Sequence, residues 1–556
     1  MAERVSKQIT LTIDGKPVTV PEGTTVLQAC EQANSPVPFY CYHPGLSIAG
    51  NCRICLVEIA GTPKLQIACY TRAAEGMVVN TTSDKTLAGR KDVLEFLLIN
   101  HPLDCPVCDQ AGECWLQDYY MQHGLYDPRF NEQKVKKPKA VPVGPTVMLD
   151  AERCILCSRC VRFTDEITKT GEFGIFNRGD HAEVGVHPGK TLENNYSGNV
   201  VDICPVGALT DRDFRFKCRV WYLGSANSVC PGCSRGCNIQ IHYNQERQWL
   251  PHTAGGKRVM RLKPRYNPHV NQWWMCDVGR YGYKTIDENR LTHVQLTSNG
   301  QGRAGTWPEA MSLLKERLAS LRQAKQLDRV GVILSSHLTN EDLYAAKRVF
   351  GASGITRIVF QRPRPGDADD LLLQADRSPN AAGAQALGIP EGAEALLEQA
   401  IRKHLRVLIV FSQDLTELFG ASRVREAAQA LDLLAFVGAN ANPTASLAHL
   451  VLPSAVYAEK DGTFTNFQRR VQRITAAVAP WAESKPEWQI LSDLAAALGV
   501  EITFPDAQTV FLELAQHEPA FRGMLASQLG EYGTVLHNGA GVSPADQPQE
   551  MKSHVG

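Results

Sequence analysis

Residues 153–163 read RCILCSRCVRF, and residues 201–210 read VDICPVGALT. Cys154, Cys157 and Cys160 stand at i, i+3 and i+6, and the distant Cys204 is followed by Pro205. Three thiolates two residues apart in a tight loop can grip three corners of an iron–sulfur cube, and a remote Cys-Pro can close the fourth. Zinc sites prefer pairs of knuckles to a triple, so a [4Fe–4S] cluster is the reading of this group. The surrounding domain is therefore expected to be organised by a metal-wrapping loop.

Outward from this stretch, most of the seventeen cysteines fall into three further groups. Upstream, Cys41, Cys52, Cys55 and Cys69 have the spacing Cys-x10-Cys-x2-Cys-x13-Cys in a loop rich in Gly and Pro. A long loop, a close pair and a distant fourth ligand suit a [2Fe–2S] cluster, while four thiolates also bind zinc. Between these two groups lies HPLDCPVCDQAGEC at 101–114, which supplies His101, Cys105, Cys108 and Cys114. Taken alone, three thiolates and one imidazole suit zinc as well as a cluster; their place among the other groups favours a [4Fe–4S] cluster with one histidine ligand. A neutral imidazole replacing a thiolate removes negative charge and should raise the potential. Downstream, VCPGCSRGC at 229–237 gives Cys230, Cys233 and Cys237, with Cys276 as a remote fourth, again a [4Fe–4S] pattern. Cys30 and Cys218 are left over and read as packed thiols. No cysteine occurs after Cys276.

At 556 residues the chain is longer than one core usually serves, so several domains are expected and disulfides are not needed to stabilise them. Lys plus Arg equals Asp plus Glu at 58 each, which leaves no basic field for nucleic acid. Met1-Ala2-Glu3-Arg4 leads directly into an alternating strand, with no secretion signal, and no run approaches the ~18 apolar residues of a spanning helix. Membrane contact is expected only through partners. Lys134, Lys136, Lys137 and Lys139, with Pro138, Pro142 and Pro145 nearby, read as a solvated linker.

Ile9, Leu11 and Ile13, then Asp14-Gly15, then Val18 and Val20 predict a hairpin, followed by a helix capped at Thr24 or Thr25. Strands are expected at 54–59 and 65–68, and a helix over 84–100. From about residue 328 the pattern becomes α/β: strands at 330–334, 355–360, 407–411 and 431–437 alternate with helices such as 340–350, which implies a parallel sheet covered on both faces. No phosphate-binding glycine motif occurs there, and the loop Gly438-Ala439-Asn440-Ala441-Asn442-Pro443 reads as a structural turn. The last forty or so residues read as a flexible tail.

FYCYHPGLSIAGNCRICLVEI, HPLDCPVCDQAGECWLQD, RCILCSRCVRF and VDICPVGALT resemble the large iron–sulfur subunit, the G or 75-kDa type, of NADH:quinone oxidoreductase, respiratory complex I, over residues 8 to about 500. The region from Cys230 onward also resembles molybdopterin oxidoreductases, through Asp376-Arg377-Ser378-Pro379-Asn380, the segment 437–453 and GTFTNFQRRVQ at 462–472. No molybdenum-ligating cysteine follows Cys276, and Arg469 stands where that family has glycine. The resemblance implies an α+β then α/β fold: an N-terminal β-grasp [2Fe–2S] ferredoxin-like domain, iron–sulfur loop and helix domains, then a degenerate molybdopterin-oxidoreductase-like α/β region. Expected boundaries are 1–84, 85–130, 131–218, 219–285, 286–510 and a tail at 511–556.

The same resemblance implies one [2Fe–2S] and three [4Fe–4S] clusters, with the ligand roles above, and no molybdopterin. Electrons from NADH and flavin on a partner subunit would pass through the second and third groups toward quinone, the fourth lying off that path. Implied partners are the FMN/NADH-binding subunit, a small [2Fe–2S] subunit and a ferredoxin-like two-cluster subunit. The implied location is peripheral, on the cytoplasmic face of the bacterial inner membrane. An electron-transfer subunit of an NAD-linked hydrogenase or formate dehydrogenase is the alternative enzyme reading, and a multi-zinc scaffold the non-enzymatic one.

Overall fold

The computed structural model describes residues 7–124, 127–245, 257–298 and 301–536. The chain divides into two compact units at Tyr222/Leu223. Among the described residues, no helix is long and apolar enough to cross a membrane.

The first unit opens with the expected hairpin, Gln8–Ile13 antiparallel to Lys16–Pro21. These strands join a five-stranded sheet in the order Lys16–Pro21, Gln8–Ile13, Val78–Asn80, Leu56–Ile59, Gln66–Ile67, in which Gln8–Ile13 and Val78–Asn80 run parallel. The helix Val26–Gln32 starts at Thr25, whose hydroxyl accepts from the Gln28 amide while the Gln28 side chain accepts from the Thr25 amide. Such a cap contributes about 1 kcal/mol. Ile9, Leu11, Ile13, Val26, Ala29 and Cys30 close the core. Cys30 is fully buried, and burial pushes its thiol up to about 12, so it behaves as an apolar group.

The helix Asp84–Leu98, capped by Ser83, and the helix Trp115–His123 flank the second cysteine group. A three-stranded antiparallel sheet, Leu209–Asp211, Val147–Leu149 and Val141–Pro142, frames the third. The segment 134–139 is only partly a solvated linker: Lys136 stands 78% exposed, but Lys134 and Lys139 are tied down. Lys134 Nζ donates to the carbonyls of Leu98 and Ile99 at 2.8 and 2.7 Å, satisfying the end of the helix Asp84–Leu98, and Lys139 Nζ lies 2.8 Å from Glu152 and also pairs with Asp104. The lysines lie down because open helix carbonyls and three acids, Asp104, Asp150 and Glu152, await them.

The second unit begins with an antiparallel sheet, Leu223–Val229, Asn238–Asn244 and Val259–Pro264, which the sequence reading did not anticipate. A seven-stranded sheet follows in the order Gln301–Ala304, Gln295–Ser298, Leu450–Pro453, Leu433–Gly438, Val407–Phe411, Val330–Ser335, Arg357–Gln361. The last five are mutually parallel, as expected; the first two form a hairpin antiparallel to Leu450–Pro453, so the sheet is mixed. Successive residues face opposite layers: Val332, Leu334 and Ile409 join the core under the helices Trp307–Gln323, Asn340–Ala352 and Glu487–Leu498, while Ile333, Leu408 and Val410 join that under Ala393–Ile401 and Ala421–Ala430. Burial on both faces is why these strands read as unbroken apolar runs. The turn at 438–443 is structural: Asn442 caps a short helix, and Asn440 donates to the carbonyls of Thr285 and Glu288.

Residues 511–536, expected to begin a flexible tail, complete the helix Ala507–His517 and a strand at Thr534–Val535 paired with Arg470–Ile474. Phe511, Leu514 and Phe521 are buried in the main core, and their spacing accounts for the order. Residues 537–556 of that expected tail lie outside the described residues.

Candidate metal centres

In the first unit one apolar core holds thiols from three groups: Cys41 and Cys52, Cys157 with Cys154 and Cys204 at its margin, and Cys114, packed with Tyr40, Ile54, Leu94, Leu116 and Val206. The first group closes tightly. The Cys41 amide donates to Cys52 Sγ at 3.4 Å; hydrogen bonds from Cys52 and Cys69 hold the Cys41 thiol well below its usual range, and the same bonds push those of Cys52 and Cys69 up. Cys55 pairs with Cys69. Arg53, between two of the cysteines, takes the left-handed φ of 59°.

The third group is the most regular. Leu156 and Ser158 adopt the left-handed φ of 54° and 59°, which bends the loop tightly between the cysteines. The Leu156 amide donates to Cys154 Sγ at 3.4 Å. Cys154, Cys157, Cys160 and Cys204 line one cavity walled by Leu149, Ile155 and Val206. Burial pushes the thiols of Cys154 and Cys204 up to about 12.

For the second group, His101, Cys105 and Cys114 line a cavity of about 400 Å³. Cys108 does not; its sulfur is buried on the side of Gly207, within electrostatic reach of Cys105 and Cys114. Burial, then Lys134 and Arg153, holds the His101 imidazole down at about 4, so it is neutral at pH 7. Its Nδ1 is buried without a hydrogen-bond partner. A neutral ring with an orphaned nitrogen, in the lining of a cavity shared with two thiols, has the chemistry of a metal ligand. Gly112 turns the loop at φ 88°, and a Cβ there would stand 2.7 Å from Val220 Cγ2.

In the second unit Cys230, Cys233, Cys237 and Cys276 are all buried and electrostatically coupled. Gly232 and Gly279 amides donate to Cys230 and Cys276 sulfurs at 3.4 Å each. Cys218 is buried in the first unit, its sulfur 3.4 Å from the Arg219 carbonyl, and belongs to no group. Among the described residues, no three His, Cys, Asp or Glu side chains converge closely enough for one metal ion. The donor chemistry of the four sets, thiolates with one neutral imidazole in the second, suits iron–sulfur clusters.

The molybdopterin-like motifs fit their cofactor less well. Arg469 holds the left-handed φ of 61° where glycine is unpenalised, a strain of about 1 kcal/mol. Motif side chains are spent internally: Asn380 accepts from the Thr465 amide at 2.7 Å, and Gln472 Nε2 donates to Gly236 O and Asn238 Oδ1 at 2.8 and 2.6 Å.

The sequence reading missed residues that join these loops. Arg159 Nη1 donates to Ile203 O at 2.9 Å and Nη2 to Tyr42 O; Arg162 Nη2 donates to Cys41 O at 2.5 Å and Cys157 O at 3.3 Å. Both arginines stood in RCILCSRCVRF, but spacing assigns metals to cysteines and leaves arginines silent.

Comparison with known proteins agrees with this geometry. Residues 6–84 match a 2Fe-2S iron-sulfur cluster binding domain, 90–129 the NADH-ubiquinone oxidoreductase-G iron-sulfur binding region, 144–210 the NADH-quinone oxidoreductase subunit 3 ferredoxin-like domain, and 373–497 molybdopterin oxidoreductase. The NADH-quinone oxidoreductase G subunit of Rickettsia bellii is 40% identical over 327 residues, 59% of this chain and 46% of that protein. Its namesake from Streptomyces coelicolor is 39% identical over 366 residues, 65% and 42% of the two chains. The NADH-ubiquinone oxidoreductase 75 kDa subunit of Reclinomonas americana is 36% identical over 353 residues, 64% and 49%. The chain thus spans about half the length of the curated relatives it matches. A chain in a crystal structure of an NAD+-reducing [NiFe]-hydrogenase matches 38% of this chain and 91% of its own at 30% identity, with a TM-score of 0.35. Three iron–sulfur models follow one another along the first unit in the order of its three cysteine groups, and the relatives that the chain resembles over about half of their length carry the names of one subunit, the NADH-quinone oxidoreductase G subunit or 75 kDa subunit.

Proposed function

We propose that this chain is an iron–sulfur electron-transfer subunit of an NADH:quinone oxidoreductase, relaying electrons from NADH and flavin on a partner subunit toward quinone. The observation that carries the reading is the single apolar core in which thiols of three cysteine groups meet. Curated relatives named for NADH-quinone oxidoreductase favour this over a hydrogenase or formate dehydrogenase. The ligand sets are Cys41, Cys52, Cys55 and Cys69 for a [2Fe–2S] cluster; His101, Cys105, Cys108 and Cys114, then Cys154, Cys157, Cys160 and Cys204, then Cys230, Cys233, Cys237 and Cys276 for three [4Fe–4S] clusters. When bound, the clusters supply one-electron chemistry between fixed centres.

The chain's own residues do the rest. Leu149, Ile155 and Val206 exclude water from the third group, and the inward amides of Leu156, Gly232 and Gly279 offer hydrogen bonds to sulfur, which raises potentials. His101 withholds a negative charge from its set. The N-terminal sheet with its parallel inner strands is of the β-grasp type, and the region from 286 to 510 is a molybdopterin-oxidoreductase-like scaffold without cofactor. Partners are the FMN/NADH-binding subunit, the small [2Fe–2S] subunit and the ferredoxin-like two-cluster subunit, on the cytoplasmic face of a bacterial inner membrane.

Anaerobic iron, acid-labile sulfide, zinc and molybdenum analysis, with electron paramagnetic resonance after dithionite reduction, tests the reading. About fourteen irons per chain is the expected count. Zinc in place of iron makes the chain a scaffold, and stoichiometric molybdenum makes it a dehydrogenase with its own active site.

A further inference from the structure

Arg159 is 2% exposed, and its guanidinium is held by main-chain carbonyls alone, those of Tyr42 and Ile203, which adjoin Cys41 and Cys204. Its Nε is buried without a hydrogen-bond partner, and its guanidinium carbon lies 4.7 Å above the Trp115 ring. Arg162, three residues on and half-buried, donates to the carbonyls of Cys41, Ser47 and Cys157 and to Ser158 Oγ at 3.2 Å. Among the described residues neither arginine has a carboxylate within ion-pair distance, although most of the ion pairs there are made by arginine.

A buried guanidinium with no counter-charge is among the most costly arrangements a fold can hold, since carbonyl dipoles replace only part of its lost hydration. Arg159 is in that position, and the half-buried Arg162 adds a second positive charge beside it, so negative charge is required nearby. Thiols of the first and third groups are the available source: Cys41 and Cys157 are the residues whose own carbonyls the arginines grip. A cluster with four thiolates is net negative and becomes more so on reduction. A fixed cation therefore stabilises each reduced state over the oxidised one, and a cation shared by two sites biases both in the same direction.

We propose that Arg159, with Arg162, is a shared electrostatic counter-ion of the first and third cluster sites, holding both clusters at higher potential while fastening their loops together. Both are positioning residues, and the inference rests on the cluster assignment above. The choice of arginine follows from the geometry: its planar fork reaches carbonyls of two loops at once, which a lysine ammonium does not do from one fixed position.

The test is a redox titration, followed by electron paramagnetic resonance, of the full chain carrying its clusters, for Arg159→Met, Arg159→Lys and Arg162→Met. Iron and sulfide content are measured first, and a wild-type chain without clusters would sink the assignment, not this inference. With content intact, Arg159→Met is expected to shift the reduction equilibrium of both clusters tenfold or more toward the oxidised form, about 59 mV for a one-electron couple. Arg159→Lys should recover most of the shift. If Arg159→Met does not retain its clusters, Arg162→Met gives the decision, with the same direction expected. Unchanged potentials in a fully loaded methionine variant, or a lysine variant as displaced as the methionine one, would overturn the proposal.

Discussion

Replacing Gly207 by alanine is the smallest change that should dislodge a cluster ligand. The added methyl would stand 2.2 Å from Cys108 Sγ and 3.1 Å from Gln110 Cβ. Carbon and its neighbours settle at about 3.5 Å or more, so the sulfur has to retreat by roughly 1.3 Å. It has little room, because the Cys108 carbonyl accepts from Arg219 Nη1 at 2.6 Å and from the Ala111 amide at 3.2 Å, which fixes its loop. Overpacking of this kind costs about 1–3 kcal/mol. For a unit of this size each kcal/mol is worth roughly 2–4 °C in melting temperature, so a fall of about 2–12 °C is expected if the first unit melts separately. Iron analysis and the resonance signals should show loss confined to the histidine-bearing cluster. Gly282→Ala is the control, since its methyl meets nothing within 4 Å. A Gly207→Ala chain with wild-type iron, an unchanged spectrum and an unchanged melting temperature would refute the close approach of the third-group loop to Cys108.

Two further predictions concern the second unit. Lys460 is 5% exposed and lies 2.7 Å from Asp342 while also pairing with Glu487, both buried; Lys460→Met should lower stability by about 3–5 kcal/mol, and an unshifted urea midpoint would contradict the network. Glu341 is 1% exposed, and burial holds its carboxyl up at about 8. The folded chain keeps a proton that the unfolded chain releases above about pH 4.5, so this stabilisation is complete below that pH and is lost as pH rises through 8. Glu341→Gln should therefore become more stable relative to wild type between pH 5 and 8, by about 1.4 kcal/mol per unit of separation at most; parallel denaturation profiles at the two pH values would exclude it.

The local order was legible wherever short-range physics decides it. The hairpin around Asp14-Gly15, the Thr25 cap, and the strands at 330–335 and 407–411 stand close to where periodicity put them. Ligand candidates were legible because only cysteine and histidine supply the chemistry at those spacings. What escaped was long-range. Nothing local says that the strands Gln295–Ser298 and Gln301–Ala304 add to the edge of Leu450–Pro453. Lys134 and Lys139 look solvated until the carbonyls and acids they meet, from 98 to 152, are folded beside them. Phe511 and Phe521 sit in a polar-looking stretch whose apolar face appears only at helical spacing.

The acids and cations beside the second cysteine group make His101 a quantitative lever. Beside the all-thiolate first and third groups, Arg159 and Arg162 lack carboxylates among the described residues; beside the second group, Arg153 is paired with Asp104 at 2.9 Å and Lys139 with Asp104 and Glu152. A set with one neutral imidazole carries less negative charge than four thiolates. His101→Cys adds a thiolate and its negative charge, so the second cluster should shift at least tenfold toward its oxidised form, about 59 mV. Adding Asp104→Asn frees Arg153 and Lys139 from one acid and should return part of that shift, although the same change made alone in the histidine chain should raise the potential further. A redox titration of the three variants with full iron content decides it. If His101→Cys leaves the potential where it was, the imidazole is not a ligand; if Asp104→Asn has no effect in either background, the pairing of acids with cations is packing alone, without influence on the cluster.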